Sequence, residues 1–76
     1  MDRSVPVLVT TKQCPKCVIV KDYMHARNFV YEVMEAEKNM SFCRKEGIMI
    51  VPTLLVDHKL YFGVDQIKHY VDEVTG

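Results

Sequence analysis

Two thiols stand three positions apart in Cys14-Pro15-Lys16-Cys17, just after a short apolar run, Val5 to Val9, and at the start of a helical pattern. Cysteines at that spacing serve either thiol–disulfide exchange or metal ligation. On the first turn of a helix the second sulfur lies close enough to attack the first once the first holds a mixed disulfide. The pair therefore reads as a redox dithiol, with Cys14 attacking and Cys17 resolving.

The start of the helix explains why Cys14 is the reactive one. Pro15 suits the first helical position, where its fixed φ fits and its missing N–H is no loss. That leaves Cys14 at the N-cap, with the unpaired amides of Lys16 and Cys17 expected to point towards its sulfur. A thiolate there gains about 0.3 to 1 kcal/mol from the positive end of an exposed helix. Lys12 and Lys16 add positive charge on both sides. These effects lower the pKa of Cys14, and the thiolate is the nucleophile. Cys17, one turn in, is expected to be shielded.

Other uses of the pair stay open on the residues alone. A structural zinc site takes four ligands, and the chain has no second Cys-x-x-Cys and no His-x(3 to 5)-His; its histidines, His25, His58 and His69, are scattered. Covalent haem attachment needs a histidine after the second cysteine, where Val18 stands. A merely buried pair is the third possibility.

Composition narrows the classes. Seventy-six residues, nearly half of them apolar, are read as one domain, 1–76, with a single small core. Zero formal net charge leaves no electrostatic footprint for nucleic acid or an anionic membrane. No apolar run is long enough to span a bilayer, and Asp2 spoils a basic leader. Three cysteines, an odd number, do not make a stapled secreted scaffold, so a reducing cytoplasm is expected.

The elements that must position the dithiol follow from the pattern. Val5 to Val9 reads as a buried strand with Pro6 near its start. A helix from about Cys14 to Arg27 buries Cys17, Val20 and Met24, with Ile19 and Tyr23 flanking that stripe, and Asn28 closes it in the left-handed region. Phe29 to Met34 is a second strand, for which a parallel crossover is the default. A shorter helix spans about Lys38 to Glu46 and ends at Gly47. It carries Cys43, expected to be a half-buried apolar residue, with a reactive thiol as the alternative. Thr53 to Val56 and Lys59 to Phe62 form a hairpin across Asp57-His58, with His58 expected at positive φ. Gly63 allows a sharp exit into a last helix whose inner stripe is Val64, Ile67, Val71 and Val74, with Tyr70 beside it.

Cys14-Pro15-Lys16-Cys17 after the first strand and Val51-Pro52-Thr53 before the third, in this element order, carry a family likeness. The chain resembles the glutaredoxins and the small redoxins of the NrdH type over essentially its whole length. The order β-α-β-α-β-β-α matches the thioredoxin fold, an α/β architecture with a four-stranded mixed sheet flanked by three helices. The resemblance implies a cis peptide bond before Pro52 and a Val51 backbone beside the Cys14 sulfur, free to pair with an extended substrate. On the residues alone, Pro52 reads equally well as the start of an edge-like strand.

The family's Gly-Gly-x-Asp-Asp before the last helix holds the γ-glutamyl end of glutathione. Here the segment reads Phe62-Gly63-Val64-Asp65-Gln66, so Gly63 and Asp65 are kept while the first glycine and second aspartate are not. Asp65 on its own reads as well as a partner of the helix dipole. Lys16 replaces the usual tyrosine, Ile50 the usual threonine, and the basic residue three before the first cysteine lies two before it, as Lys12. The implied glutathione pocket therefore uses Lys12, Lys16, Val51, Pro52, Gly63 and Asp65.

The implied activity is thiol–disulfide exchange on protein disulfides or glutathione mixed disulfides by a monomer, with no tightly bound cofactor and no metal. The expected reductant is glutathione or, for an NrdH-like redoxin, thioredoxin reductase. Ribonucleotide reductase is an implied protein substrate and electron acceptor. Two other classes are weighed beside it: a carrier of a [2Fe-2S] cluster held with glutathione, against which Pro15 argues, and a binding module in which the dithiol is incidental.

Overall fold

The computed structural model describes residues 5–76; Asp2, the residue that counts against a basic leader, lies outside them. The elements are β1 (Val7–Thr10), α1 (Pro15–Ala26), β2 (Glu32–Glu35), a 3-10 turn (Ala36–Lys38), α2 (Met40–Glu46), β3 (Thr53–Val56), β4 (Lys59–Phe62) and α3 (Gly63–Thr75). The strands form one sheet in the order β2-β1-β3-β4. β1 and β2 are parallel, while β3 is antiparallel to both β1 and β4. This is the mixed α/β order expected from the sequence, with the 3-10 turn added.

α1 follows its apolar spacing. Cys17, Val20 and Met24 fall on one face and are buried. Ile19, on the flank of that stripe, is 51% exposed. That flank is covered further on, at Tyr23, which α3 meets through Lys68 and Asp72. There the Tyr23 hydroxyl donates to Asp72 and Arg27 pairs with Asp72 at 3.0 Å. Arg27 and Lys68 also lie over the Tyr23 ring, 4.8 and 4.9 Å from its centroid. The hydrogen bond to Asp72, above all, raises the Tyr23 pKa.

The helix ends as predicted at Asn28, φ 56°. Its N–H donates to the His25 carbonyl at 3.1 Å, and the Phe29 N–H donates to the Met24 carbonyl at 2.9 Å. This pair of bonds satisfies carbonyls that the helix end would otherwise leave open. α2 ends in the same way: Gly47 at φ 82° donates to Arg44, and Ile48 donates to Cys43.

Several bounds differ from the sequence reading for local reasons. β2 begins at Glu32, not Phe29, because Phe29 is used in the cap and the Glu32 N–H meets the Pro6 carbonyl at 2.8 Å. β1 correspondingly starts at Val7, with Pro6 left outside it. α2 starts at Met40 because the 3-10 turn occupies Ala36–Lys38. In the hairpin turn the positive φ belongs to Asp57, not His58. Cys43 is more deeply buried than expected, whereas Val74, in the last turn of α3, is 52% exposed because the core that α3 covers ends with Val71.

Alternation along each strand sends neighbouring side chains to opposite faces. Leu8 and Leu54 meet Val20, Met24, Ile67 and Val71 under α1 and α3, all of them fully buried. Val9 faces the other way, towards Cys43 and Ile48 beside α2.

Candidate active site

β1 and β4 both run antiparallel to β3, so the carboxyl ends of β1 and β4 and the amino end of β3 share one end of the sheet. Ligands of open α/β sheets meet the chain just beyond such carboxyl ends. Three segments converge there: the turn from Thr11 to Cys14, the Val51-Pro52 pair, and the start of α3.

Ladder pairing between β1 and β3 reaches Val9–Thr53. Carried two steps further, the register sets Thr11 beside Val51, and those two residues line one hollow. The Thr53 hydroxyl, fully buried, donates to the Ile50 carbonyl at 2.6 Å and closes the turn around Val51 and Pro52. The Val51–Pro52 peptide is cis, as the family likeness implied. The Gly63 N–H donates to the Pro52 carbonyl at 2.9 Å, which ties the start of α3 to this turn. Gly63 has φ 84°, a region that suits glycine because it lacks a Cβ.

Cys14 caps α1 from an extended conformation, φ −142° and ψ 93°, and its sulfur accepts from the Cys17 N–H at 3.2 Å. Of the two amides expected to serve the sulfur, only that of Cys17 does so. Cys14 and Cys17 are joined as a disulfide, their Cα atoms 5.2 Å apart. Cys14 is half-buried while Cys17 is 2% exposed, so the two sulfurs differ sharply in access.

The structure brings Cys14, Cys17, Val51, Pro52 and Gly63 to one end of the sheet. Lys12, Lys16 and Asp65 stand around them as exposed residues on the adjoining turns. No described hydrogen bond or ion pair joins these three to the cysteines. The Gln66 side chain accepts from the Phe62 N–H at 3.0 Å and so caps α3 itself. Sequence reasoning missed that role, although a glutamine in the first turn of a helix is a known capping signal.

It also missed the hollow formed by Thr11, Ala36, Ile48, Met49 and Ile50. A signal was present: Ile48-Met49-Ile50-Val51 is an apolar run before a proline, lying ahead of the strand that could bury it. Among the described residues no group of three or more His, Cys, Asp or Glu side chains is placed to hold a metal ion. No helix there is long and apolar enough to cross a membrane.

Residues 3–70 match the family model described as a thioredoxin domain. No curated protein matches the chain. Among solved structures, the crystal structure of a glutathione S-transferase from Sinorhizobium meliloti 1021 superposes with a TM-score of 0.75 at 21% identity. The match covers 95% of this chain and 33% of that one, so the chain spans about a third of that protein's length. At such identity the likeness speaks for the fold alone.

Proposed function

We propose that this chain, which belongs to the thioredoxin-domain family and carries a redox-active cysteine pair, is a glutaredoxin-like thiol–disulfide oxidoreductase acting on protein disulfides or glutathione mixed disulfides. The observation that carries this reading is the asymmetry of the pair. Cys14 caps the helix, half-buried, with the Cys17 amide on its sulfur, while Cys17 is 2% exposed behind it.

Reduced Cys14 attacks the substrate disulfide as a thiolate, which the amide and the helix N-terminus stabilise. A mixed disulfide forms at Cys14 and one substrate thiol leaves. Cys17 then attacks the Cys14 sulfur, releases the second substrate thiol and closes the Cys14–Cys17 bond. Val51 supplies backbone for an extended substrate, since its neighbours β1 and β3 stop pairing at Val9–Thr53. Lys12 and Lys16 attract anionic partners, and neither metal nor organic cofactor enters the chemistry. Ribonucleotide reductase is a candidate substrate, in a reducing cytoplasm where such dithiols are catalytic.

Glutathione is the first candidate for restoring the dithiol, held by Lys12, Lys16, Val51, Pro52, Gly63 and Asp65. One observation favours a second reading, an NrdH-like redoxin served by thioredoxin reductase. Gln66 is engaged with the Phe62 amide, at the helix start where the glutaredoxins that the chain resembles bind glutathione. The oxidised chain is to be offered glutathione with glutathione reductase and NADPH, and separately thioredoxin reductase with NADPH. Turnover with glutathione supports the glutaredoxin assignment, turnover only with the flavoenzyme supports the NrdH-like one, and turnover with neither removes both.

A further inference from the structure

Between α2 and the segment 48–51 lies a groove of about 440 Å³, walled by Met40, Cys43, Gly47, Ile48 and Met49, with Arg44 its one charged residue. A second hollow of about 250 Å³ shares Ala36, Cys43, Ile48 and Met49 with it and continues to Ile50, Val51 and Thr11. With these walls in common the two adjoin as one channel, in which Thr11, on the turn into Cys14, lines only the second hollow and Arg44 only the first.

The channel is lined by apolar side chains that the fold leaves in water. Met49 is 88% exposed, Met40 60% and Ile50 51%. Across the site Val18, one helical turn after Cys14 and on the same side of α1, is 55% exposed. Apolar residues gathered at one place on a small surface mark a contact site, and methionine adapts its shape to varied partners.

What occupies the channel follows from its continuity with the exchange site. A partner must bring a disulfide sulfur to Cys14, so the chain bearing that sulfur passes Val51 and its flanking residues lie along the channel. The walls are apolar near the cysteine and cationic beyond. We propose that the channel selects an extended disulfide-bearing peptide segment with a large aliphatic residue two or three positions from its cysteine and an acidic residue beyond, Met49 contacting the aliphatic side chain. This inference rests on the exchange reading above and adds a substrate class to it.

The chemistry is unchanged. Cys14 displaces one sulfur of the partner's disulfide, Cys17 displaces the other from Cys14, and the partner leaves as two thiols. The partner gains two electrons and two protons, which the chain's dithiol loses in becoming the Cys14–Cys17 disulfide.

The test is single-turnover oxidation of the reduced full chain by short peptide disulfides that carry leucine, glycine or lysine two positions from the cysteine. Bis(2-hydroxyethyl) disulfide is the small reference oxidant. The leucine peptide is expected to react about tenfold faster than the glycine peptide, the factor that burying about half a leucine side chain supplies. Met49→Lys is expected to bring that ratio close to one, and Met49→Ala, which removes no buried packing, to lower it. Arg44→Glu is expected to abolish any advantage of an acidic residue further along the peptide. Equal rates for the three peptides, or a leucine preference that Met49→Lys leaves intact, overturn the proposal while reaction with the small disulfide leaves the exchange reading standing. Failure with every disulfide, the small one included, overturns both.

Discussion

The two faces of the sheet are built to different standards. Under α1 and α3, six side chains are fully buried and the partly buried aromatics Tyr23, Phe29, Tyr31, Tyr61 and Tyr70 seal the edges. Under α2 the buried apolar cluster is smaller, Val9, Cys43 and Ile48, and methionines stand open to water beside them. One face has two helices of 12 and 13 residues, the other a single helix of 7. The closed face therefore holds the fold and fixes α1, with its cysteines. The open face leaves apolar surface beside the exchange site, where a partner can use it.

Perturbing the two faces in turn can break that contrast. Met24→Ala, on the closed face, is expected to cost about 2 to 5 kcal/mol of stability by leaving a cavity, measured by denaturant unfolding. The exchange rate per folded molecule should hardly change. Asn28→Ala removes the residue best suited to the left-handed cap of α1 and is expected to cost about 1 kcal/mol, with Asn28→Gly close to neutral. Cys43→Ala, on the open face, should cost no more than about 1 kcal/mol. A loss as large as that of Met24→Ala would erase the contrast.

The smallest effect is a pH dependence confined to the closed face. Burial raises the pKa of Tyr31 and Tyr70 above the ordinary 10.0. A group whose pKa is raised on folding contributes stability that is fully present below its unfolded value and lost as pH rises through the folded one. Unfolding midpoints should therefore decline above about pH 10, and Tyr70→Phe should flatten the decline. An unchanged alkaline slope in that variant would show that Tyr70 ionises as freely folded as unfolded.

Much of this division was legible in the sequence. The 3-and-4 spacing of Cys17, Val20 and Met24 located the buried face of α1, and Asn28 and Gly47 marked two helix ends through the φ each tolerates. The β3–β4 hairpin emerged at its observed bounds because Asp57-His58 interrupts two apolar runs. Cys14 and Cys17 marked the candidate site by their spacing alone. The open face was hidden because the apolar pattern of Ile48 to Val51 looks the same whether a residue is buried or exposed. Only the position of β3, which begins after Pro52, decides that Met49 faces water. Val74 failed for a like reason: helical spacing shows which way a side chain points, but not whether another element reaches that far.

A trapping experiment tests directly whether the two cysteines have unequal roles. Reduced Cys17→Ser and Cys14→Ser variants are each mixed with a disulfide substrate, and the products are identified by mass spectrometry. A stable mixed disulfide is expected on Cys14 in the Cys17→Ser variant, and little or none on Cys17 in the Cys14→Ser variant. Equal trapping at the two positions, or trapping only at Cys17, would contradict that assignment of roles.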